Sequence, residues 1–170
     1  MTLAWAQVAH KPISGLPGVK ISKFPNFQIT RFPNYPFIMD PMFTSDAVTR
    51  GIKVHVESEY APERSQPSKN EWFFLYTITI TNEGTETAQL VTRHWIITDG
   101  TGHVEEVRGP GVVGKQPVLA PGESFTYTSG CPLATPFGVM EGSYQMVTGN
   151  GEEFDAKIAP FTLSEPYTVH

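Results

Sequence analysis

The sequence is poor in cysteine, in charged residues and in long apolar runs, and each shortage excludes a class of protein. Cys131 is the single cysteine among 170 residues, which excludes an internal disulfide and a cysteine-based zinc site. Charged residues make up 17%, and the net charge of −5 argues against a protein that binds nucleic acid. No stretch approaches the roughly 20 apolar residues of a transmembrane helix, so we expect no membrane insertion. The N-terminus also lacks the apolar core of a signal peptide.

Helix-breaking residues are plentiful, with 15 glycines and 15 prolines. They exclude long uninterrupted helices and therefore a helical bundle. From residue 46 onward, apolar and polar residues alternate with a period of two, which predicts strands. The clearest strand is 72–82, with Trp72, Phe74, Tyr76, Ile78 and Ile80 on one face. Further strands are expected near the ranges that follow in chain order: 52–57, 90–98, 103–107, 124–129, 139–147 and 153–161.

Turn signals separate these segments. Asp99-Gly100 predicts a hairpin, and Pro121-Gly122 and residues 149–151 predict further turns. Seven or eight short strands separated by turns predict an all-β protein, an antiparallel β-sandwich.

Residues 1–45 differ in composition from the rest of the chain. They carry four basic residues against one acidic residue, Asp40, whereas residues 46–170 carry eight basic and sixteen acidic ones. They also hold six prolines and seven aromatic residues. We expect an extended N-terminal arm over 1–45, which lays its rings on its own domain or on a partner, and a β-sandwich domain over 46–170. The alternative is a partly ordered tail without function. The expected partner-binding anchors are Phe27, Phe32, Tyr35 and Phe37.

A glycine-rich segment follows the predicted hairpin. Residues 109–114 fit the G-x-G-x-x-G pattern of dinucleotide-binding loops. Such a loop must open a helix, but Pro117, Pro121 and Gly122 exclude a helix here, so the dinucleotide interpretation fails. Two interpretations remain: backbone N–H groups that bind a small anion, or glycines that only permit tight turns. The residues of the candidate anion loop are Arg108, Gly109, Gly111, Gly114 and Lys115.

The remaining reactive side chains form no strong motif. His94 and His103 are nearly equidistant from Asp99-Gly100, so they would meet across the hairpin in a weak metal site; histidines with a structural role are the alternative. Cys131 is expected to be a small buried hydrophobic residue, because no neighbouring base activates it as a nucleophile. We therefore predict no metal site, no cofactor and no enzymatic activity. An enzyme that acts on an anion bound at the loop is a weaker option, because the sequence places no general base there.

Four segments resemble the ApaG family. They occur in the family's order and cover roughly residues 46–168. The resemblance implies an immunoglobulin-like or fibronectin-type-III-like β-sandwich and carries over no catalytic residues. The segments are LVTRHWIITDG (90–100), GPGVVGKQP (109–117), YTSGCPL (127–133) and TPFGVMEGSY (135–144).

The resemblance implies two functions. Bacterial members are linked with cobalt resistance and magnesium efflux, and the family's glycine loop, here Gly109, Gly111 and Gly114, has been discussed as a nucleotide or pyrophosphate site. Eukaryotic relatives carry the domain in F-box proteins and in a polymerase-interacting protein of mitochondria and nuclei. We therefore expect a non-enzymatic protein-binding module, an accessory subunit of a larger assembly. The alternative is a phosphate- or pyrophosphate-binding protein of magnesium and cobalt homeostasis.

Residues 1–45 extend beyond the usual N-terminus of the family. Their basic and acid-poor composition loosely resembles a mitochondrial targeting region, but their prolines oppose the amphipathic helix of such a region. We expect a cytoplasmic location, with a mitochondrion or another organelle as the alternative.

Overall fold

Nine strands make up most of residues 43–166, the part of the chain that the computed structural model describes. Two short 3-10 helices, Pro62–Arg64 and Pro67–Lys69, lie between the second and third strands. In chain order the strands are β1 (Thr44–Thr49), β2 (Ile52–Tyr60), β3 (Trp72–Asn82), β4 (Ala88–Asp99), β5 (Val104–Pro110), β6 (Val118–Leu119), β7 (Ser124–Leu133), β8 (Phe137–Thr148) and β9 (Glu153–Ser164).

The strands form two antiparallel sheets that pack face to face, so the predicted β-sandwich is confirmed. The first sheet has the order β1-β2-β3-β7 and the second the order β5-β4-β8-β9, with β6 pairing with the start of β4. The structure adds two strands to the predicted set. One is the two-residue β6; the other is β1, which begins at Thr44 and so crosses the compositional boundary at residue 45.

Strand β3 has the predicted bounds because its alternation is unbroken. Its even-numbered residues are buried and its odd-numbered residues are half-buried along the whole strand. Since successive side chains in a strand point to opposite faces, the even-numbered ones form the inner face of the first sheet. Ile52, Val54 and Val56 of β2 are buried beside them, as the sequence pattern predicts.

Trp95 lies at the centre of the core between the sheets. Its ring packs edge-on against Tyr76 of the first sheet at a centroid distance of 5.6 Å. It also packs edge-on against Tyr144 and Phe161 of its own sheet, each at 6.2 Å. Edge-to-face aromatic pairs add about 0.5–1.5 kcal/mol each beyond the area that they bury. The indole of Trp95 therefore connects β3, β8 and β9.

Two bulges change which residues face the core. In β4 the register shifts between Leu90 and Thr92, so Leu90 and Trp95 both face inward although their numbers differ in parity. In the β8–β9 pair the register shifts between Met140 and Gly142. A bulge inserts one unpaired residue and turns the following side chains to the other face.

No helix among residues 43–166 is long and apolar enough to cross a membrane.

The close approach of β8 to β4 makes Gly142 sensitive to substitution. A Cβ atom at Gly142 would lie 2.0 Å from the carbonyl oxygen of His94, whereas a Cβ atom at Gly149 would meet no atom within 4 Å. We expect Gly142→Ala to lower the free energy of unfolding by about 2 kcal/mol or more, because backbone must move to accept the methyl group. Gly149→Ala is the matched control and should leave it nearly unchanged. Urea unfolding followed by tryptophan fluorescence measures both; equal effects would contradict the packing described here.

Candidate functional site

The glycine-rich segment forms a tight two-residue turn between β5 and β6. The Val112 N–H donates to the Lys115 carbonyl (2.8 Å), and the Lys115 N–H donates to the Val112 carbonyl (2.9 Å). Val113 and Gly114, at the two central positions, both have positive φ, 44° and 75°. Two consecutive residues of positive φ define a type I′ turn, so the glycine-rich sequence opens no helix.

Arg93 holds the strand that leads into this turn. Its Nη1 atom donates to the carbonyls of Pro110 (3.0 Å) and Gly111 (2.8 Å). The guanidinium lies against Gly109, where a Cβ atom would come within 3.1 Å of Nη2. A Cβ atom at Gly111 would lie 2.2 Å from the Lys115 carbonyl oxygen. Gly109 and Gly111 therefore leave room for these close approaches.

The N–H groups of the loop are largely used within the protein. The Gly111 N–H donates to the Val91 carbonyl (2.8 Å), and those of Val112 and Lys115 close the turn. In residues 43–166 the N–H groups of Val113 and Gly114 make no hydrogen bond, and they lie at the tip of the turn.

The two cations of the predicted anion loop point to separate partners. Arg108 is exposed and pairs with the Glu106 carboxylate (3.3 Å). The Lys115 ammonium lies 5.8 Å from the centroid of the Phe125 ring. The anion loop stays a prediction, and its cations have other neighbours in this arrangement.

The interpretation in which His94 and His103 meet across the hairpin is wrong. His94 lies opposite Arg108, whereas the His103 carbonyl accepts a hydrogen bond from the Asp99 N–H (2.9 Å). The hairpin is centred near residue 101, because its loop is longer than the Asp99-Gly100 pair suggests. No group of three His, Cys, Asp or Glu side chains suited to a metal ion occurs in residues 43–166.

His94 has a local partner on the outer face of the second sheet. Its Nε2 atom lies 2.8 Å from Glu106 Oε2. Hydrogen bonds from His94 and then from Arg108 lower the pKa of the Glu106 carboxyl below its usual value. The three side chains form a polar cluster on neighbouring strands, in which Arg108 and Glu106 are an exposed ion pair.

Cys131 is buried in β7, as predicted. Burial raises the pKa of its thiol to about 12, and the negative charge of Glu105 on β5 adds to the shift. A thiol with this pKa stays protonated at neutral pH and is a poor nucleophile.

Three buried tyrosines join the two sheets close to Arg93. The hydroxyls of Tyr127 on β7 and Tyr144 on β8 form a hydrogen bond across the sandwich. Burial raises the pKa of Tyr76 to about 12 and raises those of Tyr127 and Tyr144 further. In each case the positive charge of Arg93 partly opposes the shift. The three phenols stay neutral; Tyr127 and Tyr144 anchor β7 to the second sheet, and Tyr76 packs on Trp95 from β3.

A surface groove of about 520 Å³ lies beside the glycine-rich turn. Its lining is mixed, with an exposed valine, Val118, and polar side chains at its rim. Lys115 and Phe125 line the groove, and Phe125 is the second residue of β7, so the groove adjoins the beginning of that strand. The other lining residues are Gln116, Pro117, Leu119, Glu123 and Ser124.

One side of the sandwich is closed by hydrogen bonds between the outer strands of the two sheets. Ser45 Oγ on β1 donates to the Ala159 carbonyl on β9 (3.0 Å). The Lys157 N–H on β9 donates to Thr49 Oγ1 on β1 (3.0 Å). Side chains of β1 thus occupy backbone groups at the edge of β9, which protects that edge from pairing with another chain.

The other side of the sandwich is bounded by β5 and β7, the last strands of their sheets in the described part of the chain. The Asn82 N–H donates to the Glu123 carbonyl (2.9 Å) immediately before β7. The N–H and C=O groups of successive residues in an antiparallel strand point alternately to its two sides. In every second residue of β7 these groups therefore point away from β3. Those with both an outward N–H and an outward C=O are Ser124, Thr126, Thr128 and Gly130.

The two edges differ in charge. Strand β5 carries Glu105, Glu106 and Arg108 and ends at Pro110, and charge and proline at an edge discourage pairing with another chain. Strand β7 has ten residues without a charged side chain, and its single proline, Pro132, stands near its end. Each strand has one proline near its end, so the edge of β7 is less protected than that of β5 through its lack of charge.

Arg93 and the edge of β7 are the functional candidates that sequence reasoning missed. Arg93 is two residues before Trp95 and four before Ile97, so the alternation places it on the same, inward face. A charged residue among inward-facing positions could have marked it as a candidate. The lack of charged residues in β7 is a weaker signal for its edge. It is weak because the sequence does not show which strands lie at the end of a sheet. The predicted anchors Phe27, Phe32, Tyr35 and Phe37 lie outside the described residues.

Comparison with known proteins gives a consistent result. Residues 62–148 match the family model of the ApaG domain. The chain is 58% identical to Protein ApaG of Bradyrhizobium sp. over 120 residues, which cover 71% of this chain and 92% of that protein. It is 59% identical to Protein ApaG of Afipia carboxidovorans over 120 residues, with the same coverage.

Solved structures agree with these sequence matches. The structure is similar to the crystal structure of an ApaA protein from Bordetella pertussis, with a TM-score of 0.67 and 56% identity. The similarity covers 69% of this chain and 95% of the Bordetella chain.

The buried tyrosines predict a loss of stability at alkaline pH. In the unfolded chain tyrosine loses its proton near pH 10, whereas burial keeps the folded phenols protonated. The stabilisation that comes from keeping these phenols protonated is fully present below pH 10 and is lost as pH rises through the folded-state pKa. For Tyr76 alone, the free energy of unfolding should fall by about 3 kcal/mol between pH 10 and 12. Urea unfolding at a series of alkaline pH values measures the slope, which Tyr76→Phe should reduce. Equal unfolding free energies at pH 8 and pH 11 would refute this expectation.

Proposed function

Because the chain belongs to the ApaG family, we propose that it is a non-enzymatic module that binds other proteins, as an accessory subunit of a larger assembly. A rigid sandwich provides the platform, and its exposed edge and loops provide contacts. The relatives named above are bacterial proteins, and a cytoplasmic location is part of this proposal.

The observation that carries the proposal is the unequal protection of the sheet edges. Side chains of β1 cover backbone groups of β9, and charged side chains protect β5, whereas β7 presents alternate N–H and C=O groups and carries no charged side chain. An extended segment of a partner adds to such an edge through main-chain hydrogen bonds. We place the main docking surface along β7.

The groove beside β7 extends this surface. Phe125 and Val118 offer apolar contacts, and the Lys115 ammonium lies beside them. A partner segment that follows β7 toward Ser124 reaches this groove, where side-chain contacts add selectivity to main-chain pairing.

Residues 1–45 supply the second docking element of the proposal. Phe27, Phe32, Tyr35 and Phe37 are its anchors, because aromatic rings contribute strongly to the free energy of association. The segment is basic, whereas residues 46–170 are acidic, so the two parts attract partner surfaces of opposite charge.

Two groups support the non-enzymatic part of the proposal. The Cys131 thiol is buried with a pKa of about 12, and His94 is held by Glu106 on an open sheet face. Within residues 43–166, neither group lies in a cavity beside a second reactive side chain, which is the usual arrangement of a catalytic site.

Anion binding at the glycine-rich turn, with a role in magnesium and cobalt homeostasis, is the alternative function. Its support within the described residues is limited to the N–H groups of Val113 and Gly114 at the tip of the turn. We rank it second because Arg108 and Lys115 contact Glu106 and Phe125 instead of converging on that tip.

Blocking the β7 edge should release partner proteins. Thr128 directs its N–H away from β3, so Thr128→Pro removes an edge donor without removing a hydrogen bond of the sheet. Thr128→Val keeps this donor and the branched shape and is the matched control. Pull-down with the full chain as bait should lose its specific partners with the proline variant and keep them with the valine variant, while circular dichroism confirms that both fold. Equal retention by the two variants would exclude the β7 edge.

The N-terminal anchors give an independent prediction. Removing residues 1–40, or replacing Phe27, Phe32, Tyr35 and Phe37 by serine in the full chain, should abolish retention of partners through this segment. The sandwich should stay folded, as thermal unfolding would show. Recovery of the same partners without the rings would rule out this segment as a docking element.

A further inference from the structure

The edge of β7 that no strand of residues 43–166 pairs with is self-complementary in its backbone geometry. The outward N–H and C=O groups belong to alternate residues from Ser124 to Gly130. An antiparallel pairing of two copies about a two-fold axis at Tyr127 places Ser124 opposite Gly130 and Thr126 opposite Thr128. In this register every outward N–H group of the four residues meets a carbonyl of the other copy, and Pro132, which has no N–H, lies beyond the pairing.

The side chains of β7 suit the same register. Thr126 and Thr128 point to the outer face of the first sheet, where their hydroxyls pair with those of Thr79 (3.0 Å) and Thr77 (2.8 Å). A second copy continues these rows, since its Thr128 and Thr126 lie next to them. Cross-strand threonine pairs stabilise sheets, and a strand without charge brings no like charges together when it pairs with itself.

We infer that a second copy of this chain pairs antiparallel along β7, centred on Tyr127, and joins the two four-stranded sheets into one continuous sheet. The arrangement is isologous: each copy contributes the same residues to the contact, as in most two-fold dimers. The inference rests on the proposed function, because it names the partner that the β7 edge binds.

A pair of double variants tests the register as well as the association. Thr126→Lys with Thr128→Lys places like charges opposite each other at both positions of the interface. Thr126→Lys with Thr128→Glu places opposite charges there and disturbs the monomer surface to a similar extent. Sedimentation equilibrium of the purified full chain, from low to high micromolar concentration, should show a monomer–dimer equilibrium. The Lys/Lys variant should weaken it by about tenfold or more, whereas the Lys/Glu variant should stay within about threefold.

Hydrogen exchange locates the contact independently of the variants. The N–H groups of Thr126 and Thr128 should exchange rapidly at low protein concentration and become protected at high concentration. The N–H group of Val48 is the reference, because Val48 lies on β1 at the opposite end of the same sheet. Its exchange rate should not change with protein concentration. Urea unfolding of both double variants establishes that each is folded.

The outcomes separate the inference from the proposed function. A chain that stays monomeric at all concentrations, or a dimer that the Lys/Lys variant leaves intact, overturns the inference. If the chain is monomeric but Thr128→Pro still releases partners in the pull-down, the proposed function stands and the second copy is excluded. If the chain dimerises in the expected register but no edge or N-terminal variant changes its partners, the inference stands and the proposed function fails.

Discussion

The hydrogen bond between Tyr127 and Tyr144 is the interaction on which the attachment of β7 to the second sheet depends. It joins β7, the last strand of the first sheet in residues 43–166, to β8, an inner strand of the second sheet. Side-chain packing must hold the sandwich together here, and a buried hydroxyl pair fixes the distance between the sheets. The phenols are satisfied internally, so β7 is anchored by its inner face, and its outward N–H and C=O groups take no part in this anchoring. Rigidity and accessibility coexist in one strand.

The opposite side uses the reverse arrangement. Small hydroxyl residues on the first two strands, such as Ser45 and Ser58, donate hydrogen bonds to carbonyls of β9. They close the sandwich there with side-chain contacts that occupy its edge. The bulge near the middle of β9 bends it at the same place. Within residues 43–166, side-chain hydrogen bonds thus close the side of β1 and β9, whereas β5 and β7 end their sheets on the other side.

Much of the fold follows from local sequence, and the remainder depends on contacts that local sequence does not contain. The alternation from Trp72 to Asn82 gives β3 with correct bounds, because one face must be buried along its whole length. The hairpin after β4 was centred wrongly, since turn residues mark a turn but do not set the length of its loop. The alternation places Arg93 on the face of Trp95, but it does not identify the acceptors, because the carbonyls of Pro110 and Gly111 lie at and just beyond the end of β5.

The protonated state of Cys131 has a consequence for the association that is proposed along β7. The thiol lies within β7, yet it is buried and its pKa is far above physiological pH. Oxidants and thiol-modifying agents react with exposed thiolates, so this strand offers them no target while the domain is folded. The association proposed along this edge would therefore not depend on the oxidation state of Cys131.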